Sequence, residues 1–173
     1  MTSSAADPPR AVLTRSARWW IWGLLAAFVA HDGEEAIAIV RQHGLFMGDD
    51  RILTVTQGLA AILFEFGLYW AAVVAAVWTA RPGWAVRLFG LLLAGWTLHG
   101  VGHLGSAIAQ GGGYGFGSLT AFPCCVVYGI LAFWRLRADG LLSRRELLAV
   151  VVLGLPASAP LLLGAHGFAH LIA

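Results

Sequence analysis

Four ionisable side chains within five residues, His31-Asp32-Gly33-Glu34-Glu35, interrupt an otherwise apolar run. Burying imidazoles and carboxylates in an apolar helix is costly unless they pair with one another or bind a ligand. Successive helical residues are about 100° apart, so Glu34 falls about 60° to one side of His31 and Glu35 about 40° to the other. One face therefore offers donors for a cation or for proton transfer. Asp32 points away and is a candidate supporting partner. The alternative is a hydrogen-bonded packing cluster.

Two histidine pairs further along the chain have the spacing of metal ligands on a helix. His99 and His103 lie four residues apart, so both imidazoles share one face and can bind one metal ion. The glutamate that follows the first histidine in zinc proteases is absent, and packing or an interhelical hydrogen bond is the alternative. His166 and His170 repeat the spacing but are weaker candidates, because histidines near a membrane surface cost little. Glu65 is the only acid in its apolar run and is a further candidate.

The composition indicates a membrane protein. Of the 173 residues, 59% are hydrophobic and only 12% are charged, and the mean hydropathy is +0.77. These values are typical of several membrane helices and exclude an ordinary soluble domain. The arginines form no basic patch, so we expect no nucleic-acid partner. Cys124 and Cys125 are adjacent in an apolar run and are predicted to be core thiols, because their spacing fits neither a disulfide framework nor a zinc ribbon.

The predicted fold is all-α, a polytopic membrane bundle of about five transmembrane helices. Five apolar runs meet or approach the roughly 20 residues that a bilayer core requires. Their bounds are about 18–40, 53–79, 84–109, 119–136 and 146–172. Residues 41–51 form a predicted polar connection, and the glycine-rich segment 110–117 a predicted lid or turn. Residues 1–17 are a predicted disordered cytoplasmic tail, and residues 18–173 a single bundle domain.

The arginines predict the orientation of this bundle. Nine of the eleven fall on one side of the five predicted spans, and only Arg41 and Arg51 fall on the other. The positive-inside rule then places the N-terminus in the cytoplasm and the C-terminus outside. We therefore expect a multi-pass protein of the cytoplasmic membrane.

The candidate side chains share one predicted depth. Counted from the nearest inner arginine at about 1.5 Å per residue, Glu35, Glu65 and His103 lie about 24–25 Å up their helices. His31 and His99 lie one turn deeper, at about 20 and 18 Å. Three helices thus bring acids and imidazoles to one level in the outer half of the membrane, as a common site requires.

The donor types indicate one or two divalent metal ions. Carboxylates and imidazoles without a thiolate suit zinc, iron or manganese, and facing helices that carry Glu and His can build dinuclear sites. The predicted metal ligands are His31, Glu35, His99 and His103, with His166 and His170 as weaker candidates. Glu34 or Glu65 is the predicted catalytic acid/base or a further ligand, because a carboxyl group withdrawn from water suits proton transfer.

These motifs resemble a known family. The pattern His31-x-x-Glu34-Glu35, then His99-x-x-x-His103, then a glycine-bearing turn before Leu119-Thr120-Ala121-Phe122-Pro123 is similar to the HXXEE family of small bacterial membrane proteins. The similarity spans roughly residues 20–135, and the first motif is its most specific part. The resemblance implies a His/Glu site that binds metal in a bacterial cytoplasmic membrane, and it assigns no reaction.

The residues favour an integral membrane enzyme, metal-dependent, that acts on a lipophilic small molecule entering from membrane lipid. Hydrolysis, isomerisation or cyclisation needs only a Lewis acid and a base. A proton- or cation-coupled transporter is one alternative, because it would use the same buried acids. A b-type haem protein is another, although its three acids would then have no role. The metal, the substrate and the oligomeric state stay open.

Overall fold

The computed structural model describes residues 13–47, 50–78, 82–109 and 117–172. The predicted all-α architecture is confirmed. Six α-helices and one π-helical segment make up most of the chain, in the order α1 Arg15–Gln42, α2 Val55–Trp78, α3 Pro82–Ala109, α4 Ser118–Thr120, π1 Ala121–Val127, α5 Tyr128–Ala138 and α6 Arg144–Leu171. The predicted polar connection contains a small antiparallel hairpin, with strands β1 Leu45–Met47 and β2 Asp50–Leu53.

Helix α1, which carries the first motif, begins before its predicted start and ends after its predicted end. The hydroxyl of Thr14 accepts a hydrogen bond from the amide of Ala17 at 3.0 Å and caps the N-terminus. At the other end His43 adopts a left-handed conformation with φ 60°, and the amide of Gly44 donates to the carbonyl of Ile39 at 2.9 Å. The last residues of the predicted tail therefore belong to the folded bundle, and residues 1–12 lie outside the described residues.

Small residues let the helices approach closely. Helix α3 packs against α2, α6 and π1, and α1 packs against α2, π1 and α5. A Cβ added to Gly100 of α3 would overlap the Cβ of Cys125 in π1, and one added to Gly154 of α6 would overlap Ala94. Cys125 is buried and Cys124 half-buried, and both are free thiols, as predicted. Helices α1 and α3 both pack against α2 and π1, which brings their side chains together at the level of the candidate site.

By length and composition, three helices of the described residues could cross a membrane: Val55–Trp78, Gly83–Ala109 and Ser118–Ala138. A fourth span is possible if Arg144–Gly154 and Pro156–Leu171 count as one helix bent by 48°; Pro156 lacks the amide hydrogen that would continue the helix. Helix α1 has 28 residues, about 42 Å at about 1.5 Å per residue, but its charged residues make it too polar for the same criterion. The predicted count of five spans is therefore supported only in part.

The two ends of the bundle differ in charge. At one end Thr14 donates to Asp139 at 2.7 Å, Arg135 pairs with the same carboxylate at 2.7 Å, and Arg87 pairs with Glu146 at 2.5 Å. These contacts join the start of α1 to the end of α5, and the start of α3 to the start of α6. Seven arginines of the described residues therefore lie at this end: Arg15, Arg18, Arg87, Arg135, Arg137, Arg144 and Arg145. The hairpin lies at the opposite end of the bundle.

Candidate metal centre

Four of the predicted ligands meet between α1 and α3. His31 and Glu35 lie one turn apart on α1, and His99 and His103 lie one turn apart on α3. One donor atom from each of the four side chains lies within 4.8 Å of the other three. His31 and Glu35 are buried, and His99 and His103 are partly exposed. The shared depth predicted for these two helices is thus matched by direct convergence of their side chains.

The separations between donor atoms suit four-coordinate binding. Oε1 of Glu35 lies 2.8 Å from Nε2 of His103, 3.5 Å from Nε2 of His31 and 3.6 Å from Nε2 of His99. The Nε2 atoms of His99 and His103 are 3.0 Å apart. A tetrahedral zinc ion with bonds of about 2.0–2.1 Å separates its donor atoms by about 3.4 Å. The four distances fall around this value.

Two of the four donor atoms are buried and lack an ordinary partner. Within the described residues, Nε2 of His31 and Oε1 of Glu35 make no hydrogen bond of acceptable geometry, although His103 lies close to Glu35. Burying a polar atom without a hydrogen bond costs about 1–3 kcal/mol, and burying a carboxylate costs more. A cation placed among three neutral imidazoles and one carboxylate would satisfy all four side chains, so the donor set fits a divalent metal ion.

Aromatic rings form the wall behind this group. The indole of Trp96 stacks on the imidazole of His99, with centroids 5.9 Å apart and planes 17° apart, and meets the edge of His31 at 5.3 Å. Phe28 and Tyr69 pack against Trp96 at 5.2 and 5.6 Å. Rings packed in this way restrict imidazole rotation and exclude water, which strengthens electrostatic interactions inside the site.

Glu34, one of the two predicted catalytic acids, turns toward the segment after the glycine-rich run. Its Oε2 accepts hydrogen bonds from the amide and the hydroxyl of Thr120 at 2.9 and 2.6 Å. Its Oε1 accepts from the amide of Leu119 at 3.3 Å. The hydroxyl of Thr120 also lies 2.9 Å from Nδ1 of His31. Glu34 thus contacts the back of the centre through Thr120.

The other two acids border the centre without joining the four-residue group. Glu65 of α2 is half-buried and interacts electrostatically with His99 and Glu35. Asp32 is 3% exposed and interacts electrostatically with Glu35 and Glu65. Its Oδ1 has no hydrogen-bond partner in the part of the chain that the structure describes. Glu65 stays a prediction as the acid/base, and Asp32 as a supporting residue.

The remaining candidates lie elsewhere. Nδ1 of His170 is 3.2 Å from the side-chain amide nitrogen of Gln57 on α2, and neither His166 nor His170 belongs to the four-residue group. His43 is exposed at the end of α1, within the predicted polar connection. Residues 110–116 of the predicted lid lie outside the described residues.

Two residues at the centre were not singled out from the sequence. Thr120 appeared only inside the family motif, and Gly117 only as the end of the predicted lid. Gly117 has φ 70°, and a Cβ on it would lie 2.8 Å from Oε1 of Glu35 and 3.0 Å from Cε1 of His31. The sequence signal for such a close approach is a glycine just before a helix start, which is too common to be specific.

Comparison with known proteins adds a family and no activity. A search of curated proteins and a search of solved structures gave no match. Residues 22–132 match the family model described as a protein of unknown function with an HXXEE motif. The matched residues include all four side chains of the candidate centre. Because the match covers more than half of the chain, this protein belongs to the HXXEE family.

Proposed function

We propose that this protein is an integral membrane enzyme whose metal ion is held by His31, Glu35, His99 and His103 and acts on a lipophilic small molecule. The observation that carries the proposal is the convergence of four donor atoms within 4.8 Å, two of them buried without a hydrogen bond in the described structure. Intramembrane ionisable groups are usually functional because their burial is costly.

The donor set favours zinc among the three predicted metals. Three imidazoles and one carboxylate with separations of 2.8–3.6 Å suit tetrahedral zinc, whereas iron and manganese sites usually take more oxygen donors and more ligands. An additional carboxylate lies near the group, because Glu65 interacts electrostatically with His99. We assign to it the completion of a larger coordination shell or the movement of a proton.

These groups support Lewis-acid and acid–base chemistry as the proposed reaction type. A bound zinc ion supplies Lewis-acid polarisation of a carbonyl, phosphoryl or water oxygen. Glu65 would act as the general acid/base, while the wall of Trp96 and Phe28 keeps water from the back of the centre. Hydrolysis, isomerisation and cyclisation need no further cofactor. A lipophilic substrate is proposed because the helices that surround the centre are apolar and expose large side chains such as Leu63 and Ile108.

The membrane arrangement proposed is five spans with a cytoplasmic N-terminus. Arginine accumulation at one end supports it, because positive residues stay on the cytoplasmic side. A reporter fused after Ala173 should report the outer side, and a reporter inserted at Asp139 the cytoplasm. Both reporters on the same side would rule out the five-span arrangement and, with it, the common depth of the candidate groups.

The metal itself is tested by elemental analysis of the detergent-purified protein together with its visible spectrum. About one zinc per chain, lost in His31→Ala and kept in Thr97→Val, supports the proposal. A metal-free protein that resists zinc loading overturns it and favours a transporter that uses the same acids. A Soret band overturns it in favour of haem.

A second candidate function is a structural metal site that clamps α1 to α3. The observation that favours it is the closed donor set, because structural zinc sites take four protein ligands whereas catalytic sites keep a position for water or substrate. Cobalt substitution separates the two. A visible cobalt spectrum that changes when a small hydroxamate is added indicates an open position, and an unchanged spectrum indicates a closed clamp.

A further inference from the structure

The two glutamates of the motif face different partners. Glu35 contributes Oε1 to the four-atom group. Glu34 accepts from the amide and hydroxyl of Thr120, which comes from a segment more than eighty residues away in the chain. The same hydroxyl contacts Nδ1 of His31 at 2.9 Å. A chain of three groups therefore runs from Glu34 through Thr120 to the back of the His31 ring.

We infer that Thr120 is a positioning residue that fixes the tautomer of His31 and leaves its Nε2 lone pair directed at the metal centre. A threonine hydroxyl has one hydrogen and two acceptor sites, and an ionised carboxylate can only accept. The short contact of 2.6 Å with Glu34 therefore takes the hydroxyl hydrogen. The oxygen of Thr120 is left to accept, so the hydrogen between it and His31 must sit on Nδ1.

The consequence appears on the other side of the ring. With its proton on Nδ1, neutral His31 carries an unprotonated Nε2, and this is the buried atom that has no hydrogen-bond partner among the described residues. It lies 3.5 Å from Oε1 of Glu35. A hydrogen bond on the outer nitrogen of a ligating histidine commonly fixes its tautomer and ring orientation. The two glutamates of the motif thus have different proposed roles. Glu35 binds the metal ion, whereas Glu34 holds the threonine that orients His31.

The inference rests on the proposed metal centre for its effect on affinity but not for the tautomer, which exists without metal. The primary measurement is ¹⁵N NMR of histidine-labelled, metal-free protein in detergent at one fixed pH, with the His31 signals identified by their loss in His31→Gln. We expect Nδ1 to be protonated and Nε2 unprotonated in the unaltered chain. A wild-type His31 protonated on Nε2 overturns the inference without any further variant.

Variants of Thr120 supply the second measurement, zinc affinity. Thr120→Val removes the hydroxyl and keeps the shape, and should mix the tautomers and weaken zinc binding about 10- to 100-fold, as loss of a group that supports a metal ligand usually does. Thr120→Ser restores the hydroxyl and should restore both the tautomer and most of the affinity. Thr97→Val is the matched control, because in the described part of the chain the hydroxyl of Thr97 donates to the carbonyl of Leu93 at 2.8 Å within α3.

The two proposals fail differently. In one outcome the unaltered chain binds no zinc while His31 is protonated on Nδ1 and Thr120→Val mixes the His31 tautomers. That result supports the positioning role and overturns the metal function. If the unaltered chain binds zinc and Thr120→Val changes neither tautomer nor affinity, the positioning role is overturned and the metal centre stands. Loss of affinity in Thr120→Val with no recovery in Thr120→Ser also counts against the positioning role.

Discussion

Two histidine pairs with the same spacing have different surroundings in this protein. His99 and His103 on α3 face a buried third imidazole and a carboxylate on α1, and all four donor atoms lie within 4.8 Å. On α6, His170 contacts the side-chain amide of Gln57 at 3.2 Å and is exposed. Spacing places two imidazoles on one helix face, but a second helix that adds an acid and an imidazole makes the face a candidate binding site.

The free-energy cost of leaving an imidazole nitrogen without a partner also differs between the two histidine pairs. An exposed imidazole can exchange its neighbour for water at little cost, whereas Nε2 of buried His31 has no such exchange available. We therefore expect the α3 pair, and not the α6 pair, to bind metal. The following variants test this difference, in order of decreasing expected effect on metal binding.

The largest difference in zinc binding should be between His103→Ala and His170→Ala. His103→Ala removes one of four donors and should weaken zinc binding by more than about 100-fold, beyond what supporting groups contribute. His170→Ala should leave zinc content unchanged. Elemental analysis after dialysis against a weak chelator measures both. Equal zinc loss in the two variants would place the α6 pair in the site and remove the distinction.

A double variant tests whether the two histidines of the candidate centre act on zinc binding together. If His31 and His103 bind one ion, as proposed, His31→Ala combined with His103→Ala should be no worse than either change alone. Effects that add up as separate free energies would indicate independent sites, and full zinc content in the double variant would leave the cluster with a structural role only.

A smaller loss of zinc affinity is expected for Glu35→Gln. The amide keeps the volume of the side chain but removes the negative charge, so zinc affinity should fall about 10- to 100-fold. Glu146→Gln is the control, because that glutamate pairs with Arg87 at the arginine-rich end of the bundle. Isothermal titration with zinc measures both, and identical affinities would show that the carboxylate of Glu35 is not a ligand.

An intermediate effect is expected where the backbone touches the centre. Gly117 and Gly140 have nearly equal positive φ values of 70° and 69°, but only at Gly117 would a Cβ meet Glu35 and His31. Alanine at either position pays a similar backbone cost of about 1–2 kcal/mol. Gly117→Ala should in addition lower zinc affinity on the order of 10-fold, and Gly140→Ala should not. Thermal unfolding measures the backbone cost in each variant, and zinc titration measures the loss of zinc affinity.

The smallest effect on metal binding is expected for Glu65→Gln. If Glu65 is the acid/base and not a ligand, zinc content should stay the same, while turnover of a lipophilic substrate falls about 100-fold or more. Zinc loss as large as that of His103→Ala would instead make Glu65 a fifth ligand.

Residue type and spacing were enough to predict which four side chains form the group. His31 and Glu35, like His99 and His103, are one turn apart, and this relation depends only on local helix geometry. The helical fold and the common level of the two pairs followed from apolar runs and from arginine positions. The ends of α1 and the hairpin inside the polar connection were missed, because caps and short strands are decided by a few residues each.

What the sequence alone determined is therefore the helical bundle and which faces carry donors, because hydrophobic and polar periodicity are local properties of the chain. Only the tertiary structure decided that Glu34 turns to Thr120 and that Gly117 lies against the centre. The sequence placed Glu35 among the predicted ligands, but the partner of Glu34 comes from a distant part of the chain, which no local rule identifies. The partner of Glu34 depends on which segment lies opposite that face of α1, and that is set by the packing of α1 and α3 against the segment that begins at Gly117.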